Sequence, residues 1–189
     1  MTAHPTHPDT ELAFVSTWDV GGPERQRATI DAVEHAWRSR PWPHAGLLSY
    51  SVHESVDGTT LMHRSQWRDL AAYEDFFHGA GDSRANGRDD RNAEIDAAVP
   101  GIRRLALHKT RLVRSSWGPA RGREPGVVAL TVHEREPAPV EGPGLVAVHL
   151  HRTLDGSAYL TCAEWEQGRD AGEGDRYRPA LRLTPADTR

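Results

Sequence analysis

Hydrophobic and polar positions in the first part of the chain follow two periods in turn, one typical of strands and one typical of helices. Residues 12–19 alternate, with Phe14 and Trp18 on one face, which predicts a first strand. Apolar residues then recur three and four apart from Pro23 onward, until the Pro-Trp-Pro of residues 41–43 ends the pattern. The sequence therefore begins with a predicted strand and a predicted amphipathic helix.

The next strands form a predicted hairpin. Two alternating arms, residues 46–56 and 59–68, flank Asp57 and Gly58, a dipeptide that readily adopts the tight turn of a hairpin. Asp69 follows at a position where it can cap a second helix. The hairpin thus supplies strands two and three, and a helix comes directly after it.

The remainder of the first half predicts a loop, a short helix and a last strand. The loop covers residues 78–92, the helical segment covers 93–101, and the strand covers 102–113. The resulting order, βαββαβ, is that of the ferredoxin-like split motif. This motif is an α+β sandwich with helices on one face of its sheet.

The hairpin occurs twice in the chain. Residues 46–67 and 144–165 align without a gap, and six positions are identical, including both Asp-Gly turns and the closing Trp67 and Trp165. Only residues 137–143 separate the first strand of the second half from its hairpin, which leaves no room for a long helix. The second half is therefore predicted to be a helix-poor duplicate of the first, ending in a short strand.

These patterns divide the chain into a mobile tail, a ferredoxin-like domain, a linker and a degenerate repeat. The four segments cover residues 1–11, 12–117, 118–125 and 126–189. A sheet with helices on one face has a bare second face, which another sheet can bury. We therefore expect an intrachain pseudo-dimer with a barrel-like core, and association of two chains remains an alternative.

Composition argues against several classes of protein. The 189 residues are 37% hydrophobic and carry a net charge of −4, which favours a globular protein without a nucleic-acid or membrane partner. No apolar stretch is long enough to span a membrane, and the single Cys162 cannot form an internal disulfide, so a cytoplasmic protein is expected. Because the sequence has no Gly-rich phosphate loop and no metal-ligand spacing, we expect neither a cofactor nor a metal.

The hairpin and the last strand of the first half carry a resemblance to a known family. Residues 12–117 resemble an antibiotic biosynthesis monooxygenase domain through Gly-x-x-Ser-x-Ser-x-His from Gly46, the Asp-Gly turn, the closing Trp67, and Ala-Val-Pro-Gly-Ile-Arg-Arg at 98–104. The resemblance implies a dimeric α+β barrel fold, which the second half shares through its hairpin. The family includes cofactor-free oxygenases of aromatic polyketide pathways, so the resemblance implies a small aromatic substrate with O2 as co-substrate.

The resemblance also implies a site. In the family's polyketide oxygenases the substrate lies between the sheet and its own helices, beside a Trp, a Tyr, a His and an Asn. The Trp, Tyr and His match Trp67, Tyr73 and His53, whereas the Asn position holds His63. An imidazole at that position can also hydrogen-bond a phenol or accept its proton.

These residue types suit the oxidation of an anthrone or a naphthol. Triplet dioxygen reacts slowly with closed-shell molecules unless loss of a proton first converts the substrate into an electron-rich anion, so the reaction needs a base and an oxyanion donor. The candidate catalytic residues are His53, His63 and Tyr73. The candidate substrate-binding residues are Trp67, Ser51 and Arg88, with Arg84 and Arg91 in the same polar stretch.

Two other functions stay open at this point. Relatives that degrade haem use a helical His ligand, for which His78 is the candidate, together with a strand-one Asn that residues 12–19 lack. A ligand-binding or cyclase-assisting protein without catalysis is the other alternative. A cavity beside Trp67 would distinguish an oxygenase from a purely structural member of the fold.

Overall fold

The computed structural model describes residues 9–78, 87–167 and 174–188. Within these residues the chain is α+β, with eight strands and three α-helices. In chain order the elements are β1 (Leu12–Asp19), α1 (Pro23–Arg38), β2 (Leu47–Ser55), β3 (Thr60–Trp67), α2 (Leu70–His78), α3 (Arg88–Ala98), β4 (Arg103–Trp117), β5 (Val127–His133), β6 (Leu145–Thr153), β7 (Tyr159–Trp165) and β8 (Asp175–Leu183).

The eight strands are hydrogen-bonded in a closed ring. Their order around the ring is β1-β3-β2-β8-β5-β7-β6-β4, and every pair is antiparallel. Two seams join the halves of the chain, because β2 pairs with β8 and β4 pairs with β6. Since the ring is closed, it has no unpaired edge strand.

The two halves use the same local arrangement. Within each half the fourth strand lies beside the first, the first beside the third, and the third beside the second. Each hairpin turns at an Asp-Gly pair whose glycine has a positive φ, 80° at Gly58 and 75° at Gly156. The hairpins also pair Leu47 with Trp67 and Leu145 with Trp165, with a register shift directly after the Leu in both.

Three elements differ from the sequence prediction. Helix α3 begins at Arg88, inside the predicted loop, and Asp89 and Asp90 lie in its first turn, where the helix dipole favours acidic side chains. Strand β4 continues to Trp117 because its second part pairs with β6 of the other half. Strand β8 has nine residues, and Pro179 is accommodated beside a register shift in its pairing with β2.

The outer surfaces of the two halves are covered differently. Helices pack on the outer face of β1–β3, where Val33 of α1 and Ile95 of α3 join the same buried cluster as Trp18. On the second half, the connection between β5 and β6 takes the place of helices, and Val140 packs against the buried cluster around Trp165. The helix-poor half therefore does not expose the outer face of its sheet.

The interior of the ring is filled by side chains from both halves. Its apolar cluster consists of Val15, Met62, Val128, Leu130, Leu160, Cys162 and Tyr177, all buried. Each half thus contributes side chains that bury the inner face of the other. None of the three α-helices in the described part of the chain has the length and apolar character that crossing a bilayer requires.

A polar layer lies beside this apolar cluster inside the ring. His53 and His151 occupy equivalent positions of the two hairpins, and both are buried. Burial, with the positive charge of Arg64, lowers the pKa of His53 from 6.5 to about 3. Burial and the neighbouring Arg64 and His149 also lower the pKa of His151 well below 6.5. Both imidazoles are therefore neutral in the folded protein near pH 7.

We expect these imidazoles to make folding acid-sensitive. In the unfolded chain His53 binds a proton below about pH 6.5, whereas the folded protein resists protonation until about pH 3, so stability is lost as the pH falls through this window. Lowering the pH from 7 to 5 should therefore reduce the free energy of unfolding by about 2 kcal/mol through His53 alone. Urea denaturation of wild type and His53→Gln at both pH values measures this difference.

His35→Gln is the matched control, because the side chain of His35 is 76% exposed on α1. This variant should lose as much stability on acidification as wild type, whereas His53→Gln should lose less. Equal losses in wild type and His53→Gln would show that the buried imidazole does not govern the acid response.

Candidate functional site

A cavity of about 510 Å³ lies between the outer face of the first-half sheet and helices α1, α2 and α3. Its volume falls within the range of small-molecule binding sites. Most of its wall is aromatic or apolar. The aromatic lining residues are Phe14, Trp18, Trp37, Tyr50, His63, Trp67, Tyr73, Phe76 and Phe77.

The floor of the cavity is set by strand alternation. His63, Ser65 and Trp67 alternate along β3 and line the cavity, while the intervening side chains point into the ring. The four residue steps from His63 to Trp67 span about 13 Å along the strand. The cavity floor therefore has an imidazole towards one end and an indole towards the other, at a separation that a flat fused-ring molecule can bridge.

At one end, the Trp67 indole is held by packing and by one hydrogen bond. Its Nε1 donates to Ser65 Oγ at 3.2 Å. The rings of Tyr73 and Phe76, from α2, lie with centroids 5.4 and 5.1 Å from the indole. Phe14 makes an edge contact with Tyr73 at 4.4 Å. Since Trp67 is only 3% exposed, it forms a rigid wall.

At the other end, the buried His63 forms a hydrogen-bonded dyad with the partly buried Tyr50. The Tyr50 hydroxyl lies 2.6 Å from His63 Nδ1, and the direction of this hydrogen bond depends on the imidazole tautomer. His63 Nε2 has no hydrogen-bond partner among the described residues. The imidazole lies 3.9 Å from the Trp18 ring, and the Tyr50 ring stacks on Trp37 at 4.1 Å. Both members of the dyad are thus fixed by aromatic neighbours.

The environment of the dyad keeps both residues uncharged. Burial lowers the pKa of His63 from 6.5 to about 3, with smaller effects of the neighbouring His53 and Arg104. Burial raises the pKa of the Tyr50 hydroxyl above 10, opposed by the positive charge of Arg104. At neutral pH the site therefore presents a neutral imidazole and a protonated phenol.

The charged side chains that line the cavity are all positive. They are Arg88 and Arg91 from α3 and Arg104 from β4, and no Asp or Glu lines the cavity within the described part of the chain. Each guanidinium lies over an aromatic ring, at 4.7, 5.0 and 4.6 Å from the ring centroids of Phe77, Trp37 and Trp18 respectively. The cavity thus has an apolar interior and three guanidinium groups in its lining, two of which also pair with carboxylates outside it, Arg88 with Asp89 and Arg104 with Asp96.

Five of the residues named from the sequence line this cavity. They are His63, Trp67, Tyr73, Arg88 and Arg91. Ser51 and His53 do not, because both lie on the face of β2 that points into the ring: Val52, not His53, pairs with His63. The expectation that His53 and His63 share one site is therefore wrong. Arg84 lies outside the described residues.

Sequence reasoning missed Tyr50, Trp18 and Arg104. A signal for Tyr50 was available, because a hairpin centred on Asp57 and Gly58 pairs Val52 with His63 and so places Tyr50 and Val52 on the same side as His63. Trp18 and Arg104 are brought to the cavity by strand pairing between β1 and β4, 86 residues apart in sequence. No local pattern indicates that contact.

The second hairpin does not repeat this site. His149 and His151 point into the ring, whereas Trp165 lies on the outer face of its sheet. His149 Nδ1 lies 2.8 Å from Ser115 Oγ, and its Nε2 lies 3.4 Å from Glu164. The equivalent outer face is packed with apolar side chains.

The helical His expected for a haem site does not lie in the cavity. His78, the helical candidate, is exposed at the end of α2 and does not line the cavity. Within the described part of the chain, the His that lines the cavity is His63, which lies on β3 and not on a helix. Among the described residues, no three His, Cys, Asp or Glu side chains are grouped in a way that could hold a metal ion.

Comparison with known proteins supports the fold. No family model matches the sequence, and no curated protein matches it either. Among solved structures, an anthrone oxidase-like protein is similar with a TM-score of 0.64 at 17% identity, and the match covers 94% of each chain. A protein from Lactobacillus acidophilus NCFM with the provisional name monooxygenase is similar with a TM-score of 0.55 at 10% identity, over 93% of this chain and 97% of that one. At these identities the likeness shows a shared fold.

Proposed function

We propose that the protein is a cofactor-independent monooxygenase that oxidises a polycyclic aromatic compound, of the anthrone or naphthol type, with O2. The observation that carries this proposal is the neutral, buried His63, whose Nε2 has no partner among the described residues, at the floor of a cavity walled by aromatic rings. The cavity offers a flat apolar slot, and the dyad offers a base and a donor. Oxidation within secondary metabolism is the expected setting.

The proposed reaction begins with loss of a proton from the substrate to His63 Nε2. This step requires the tautomer in which Nδ1 carries the proton and donates to the Tyr50 oxygen. The Tyr50 hydroxyl proton is then free to be donated to a substrate oxygen. Although His63 is a weak base in the empty cavity, proton transfer creates an imidazolium beside a substrate anion, and the attraction between them lowers the cost of both charges.

The substrate anion then supplies the electrons that reduce O2. One electron passes to O2, and the resulting substrate radical and superoxide combine to form a C–O bond. Protonation gives a hydroperoxide. Removal of the second C–H proton breaks the O–O bond, which leaves a ketone and releases hydroxide that is protonated to water. Overall a CH2 group and O2 give C=O and H2O, so no external reductant is needed.

Two further roles follow from the placement of neighbouring side chains. Trp67 and Tyr73 would hold the far end of the ring system, as their packing with Phe76 makes this wall rigid. Arg88 of α3 lines the helical side of the cavity, where its guanidinium lies over the Phe77 ring, and contacts the substrate from that side. The cavity also suits a binding protein without catalysis, which the activity measurement distinguishes.

We also infer that the two halves arose by duplication of one hairpin-containing sheet. The common strand order, the equivalent Asp-Gly turns and the equivalent register shifts support this origin. In this interpretation the first copy kept its helices and its cavity. The second copy lost its helices and supplies the cover for the inner face.

Removal of the proposed base should abolish oxygen consumption. Purified protein mixed with an anthrone should consume O2 in an oxygen electrode, and His63→Gln should lower the rate by about a hundredfold or more, as expected for loss of a general base. The exposed His35→Gln is the control and should retain the wild-type rate. Absence of protein-dependent uptake would refute the proposal, and loss of uptake in His53→Gln instead of His63→Gln would assign the base to the other imidazole.

The Tyr50 hydroxyl should affect turnover more than binding. Tyr50→Phe removes the hydrogen bond to His63 but keeps the stacking on Trp37, so we expect kcat to fall about tenfold with KM little changed. Steady-state oxygen uptake at varied anthrone concentration separates the two constants. A larger KM with unchanged kcat would indicate that Tyr50 only shapes the cavity.

The pH profile should lack the usual histidine inflection. Because burial holds the pKa of His63 at about 3, the imidazole stays unprotonated from pH 8 down to pH 5, and kcat/KM should not fall near pH 6.5 through this group. The measurement covers the pH range in which circular dichroism shows folded protein. An acid limb centred near pH 6.5 that is absent in His63→Gln would contradict the assigned protonation state.

A further inference from the structure

We propose that Arg104 binds a carboxylate group of the substrate, so that the preferred ligand of the cavity is an aromatic acid and not a neutral ring system. The inference deepens the proposed function, and it rests on that function for the reaction but not for the binding. It concerns a residue that the mechanism above does not use.

The pairing of β4 with β1 brings Arg104 to the rim of the cavity. A register shift between Thr17 and Trp18 sets Arg104 opposite Trp18, and four consecutive residues, 104–107, line the cavity at this point. Leu105 and Leu107 are 55% and 60% exposed. The guanidinium therefore lies at an apolar entrance, where a charged substituent could reach it while the rings pass inward.

Most N–H donors of the Arg104 guanidinium have no hydrogen-bond partner among the described residues. Arg104 Nη2 donates to Asp96 Oδ1 at 3.0 Å, and this is its one hydrogen bond to a described residue. A guanidinium carries five N–H donors in a planar fork that matches the two oxygens of a carboxylate. The ring of Trp18, 4.6 Å from the guanidinium carbon, holds the group in place. The side chain is thus oriented and still able to bind a ligand.

The three guanidinium groups at the cavity attract an anionic substituent more than a neutral one. Arg88 and Arg91 line the cavity together with Arg104. Asp89 and Asp96, which pair with Arg88 and Arg104 at 3.0 Å, offset part of this charge but do not line the cavity. Arg104 also acts electrostatically on the dyad, where its charge lowers the pKa of His63 and opposes the raised pKa of Tyr50. A bound carboxylate would offset that charge and make His63 a stronger base. Binding of an acid would therefore assist the proton transfer of the proposed reaction.

A matched pair of probes tests the inference without turnover. Anthracene-2-carboxylate and its methyl ester have the same ring system and differ in charge, and their binding can be followed by quenching of the Trp fluorescence. Wild type should bind the carboxylate at least about tenfold more tightly than the ester, as expected for a charge-assisted hydrogen bond. Arg104→Gln should bring the two dissociation constants together by weakening the carboxylate alone, and Arg104→Lys should keep part of the preference.

Arg103→Gln is the matched control. Arg103 is the adjacent residue of β4, 73% exposed and paired with Asp19, and its replacement should leave the preference unchanged. Equal binding of both probes by wild type, or a preference that survives Arg104→Gln, would overturn the inference. Oxygen uptake without any preference for the carboxylate would refute this inference alone. A preference in binding without oxygen uptake would refute the monooxygenase proposal and leave the carboxylate site standing.

Discussion

The hydrogen bonds along two seams, β2 with β8 and β4 with β6, hold the whole structure together, because they close eight strands from two halves into one ring. Closure buries the inner faces of both half-sheets against each other. The covalent link between the halves replaces an association of two chains, which would cost translational and rotational entropy. Because the inner face of the first-half sheet is buried in this way, its outer face is the one that packs against the helices, and the cavity lies between them.

Register in the hairpin β2–β3 determines which chemistry reaches the cavity. A slip by one residue would exchange Tyr50 and Val52 for Ser51 and His53 on the outer face. The Asp-Gly turn fixes this register, since Gly58 takes the positive φ that a tight turn requires. The turn and the site are therefore coupled, although the turn lies at the opposite end of the hairpin from Trp67.

The sequence predicts those helices and strands whose hydrophobic periodicity is uninterrupted. It does not predict the strand segments that form only because they pair with a strand distant in the sequence. Strands β1, β2 and β3 and helix α1 follow their patterns closely. The second part of β4 and the first part of β8, residues 175–178, are mostly polar and do not have the pattern of a strand, but each pairs with a strand of the other half.

The same distinction applies to the candidate site. Trp67 of β3 and Tyr73 of α2 are named from the local pattern and the family resemblance, and both line the cavity. The prediction that His53 and His63 share a site is wrong because alternation along each strand does not reveal the register between strands. In the observed register, Val52 lies opposite His63. Arg104 reaches the cavity through pairing with β1, which no local pattern encodes.

A base with a strongly lowered pKa is compatible with the proposed chemistry because the cavity can hold an imidazolium and a substrate anion side by side. A neutral imidazole costs little to bury, and it does not compete with the guanidinium groups for an incoming anion. In the proposed reaction, the anion formed when the substrate loses its proton lies beside the imidazolium and near the guanidinium groups that line the cavity. Low dielectric strengthens both attractions, so the burial that weakens His63 in the empty site also stabilises the ion pair formed during the reaction.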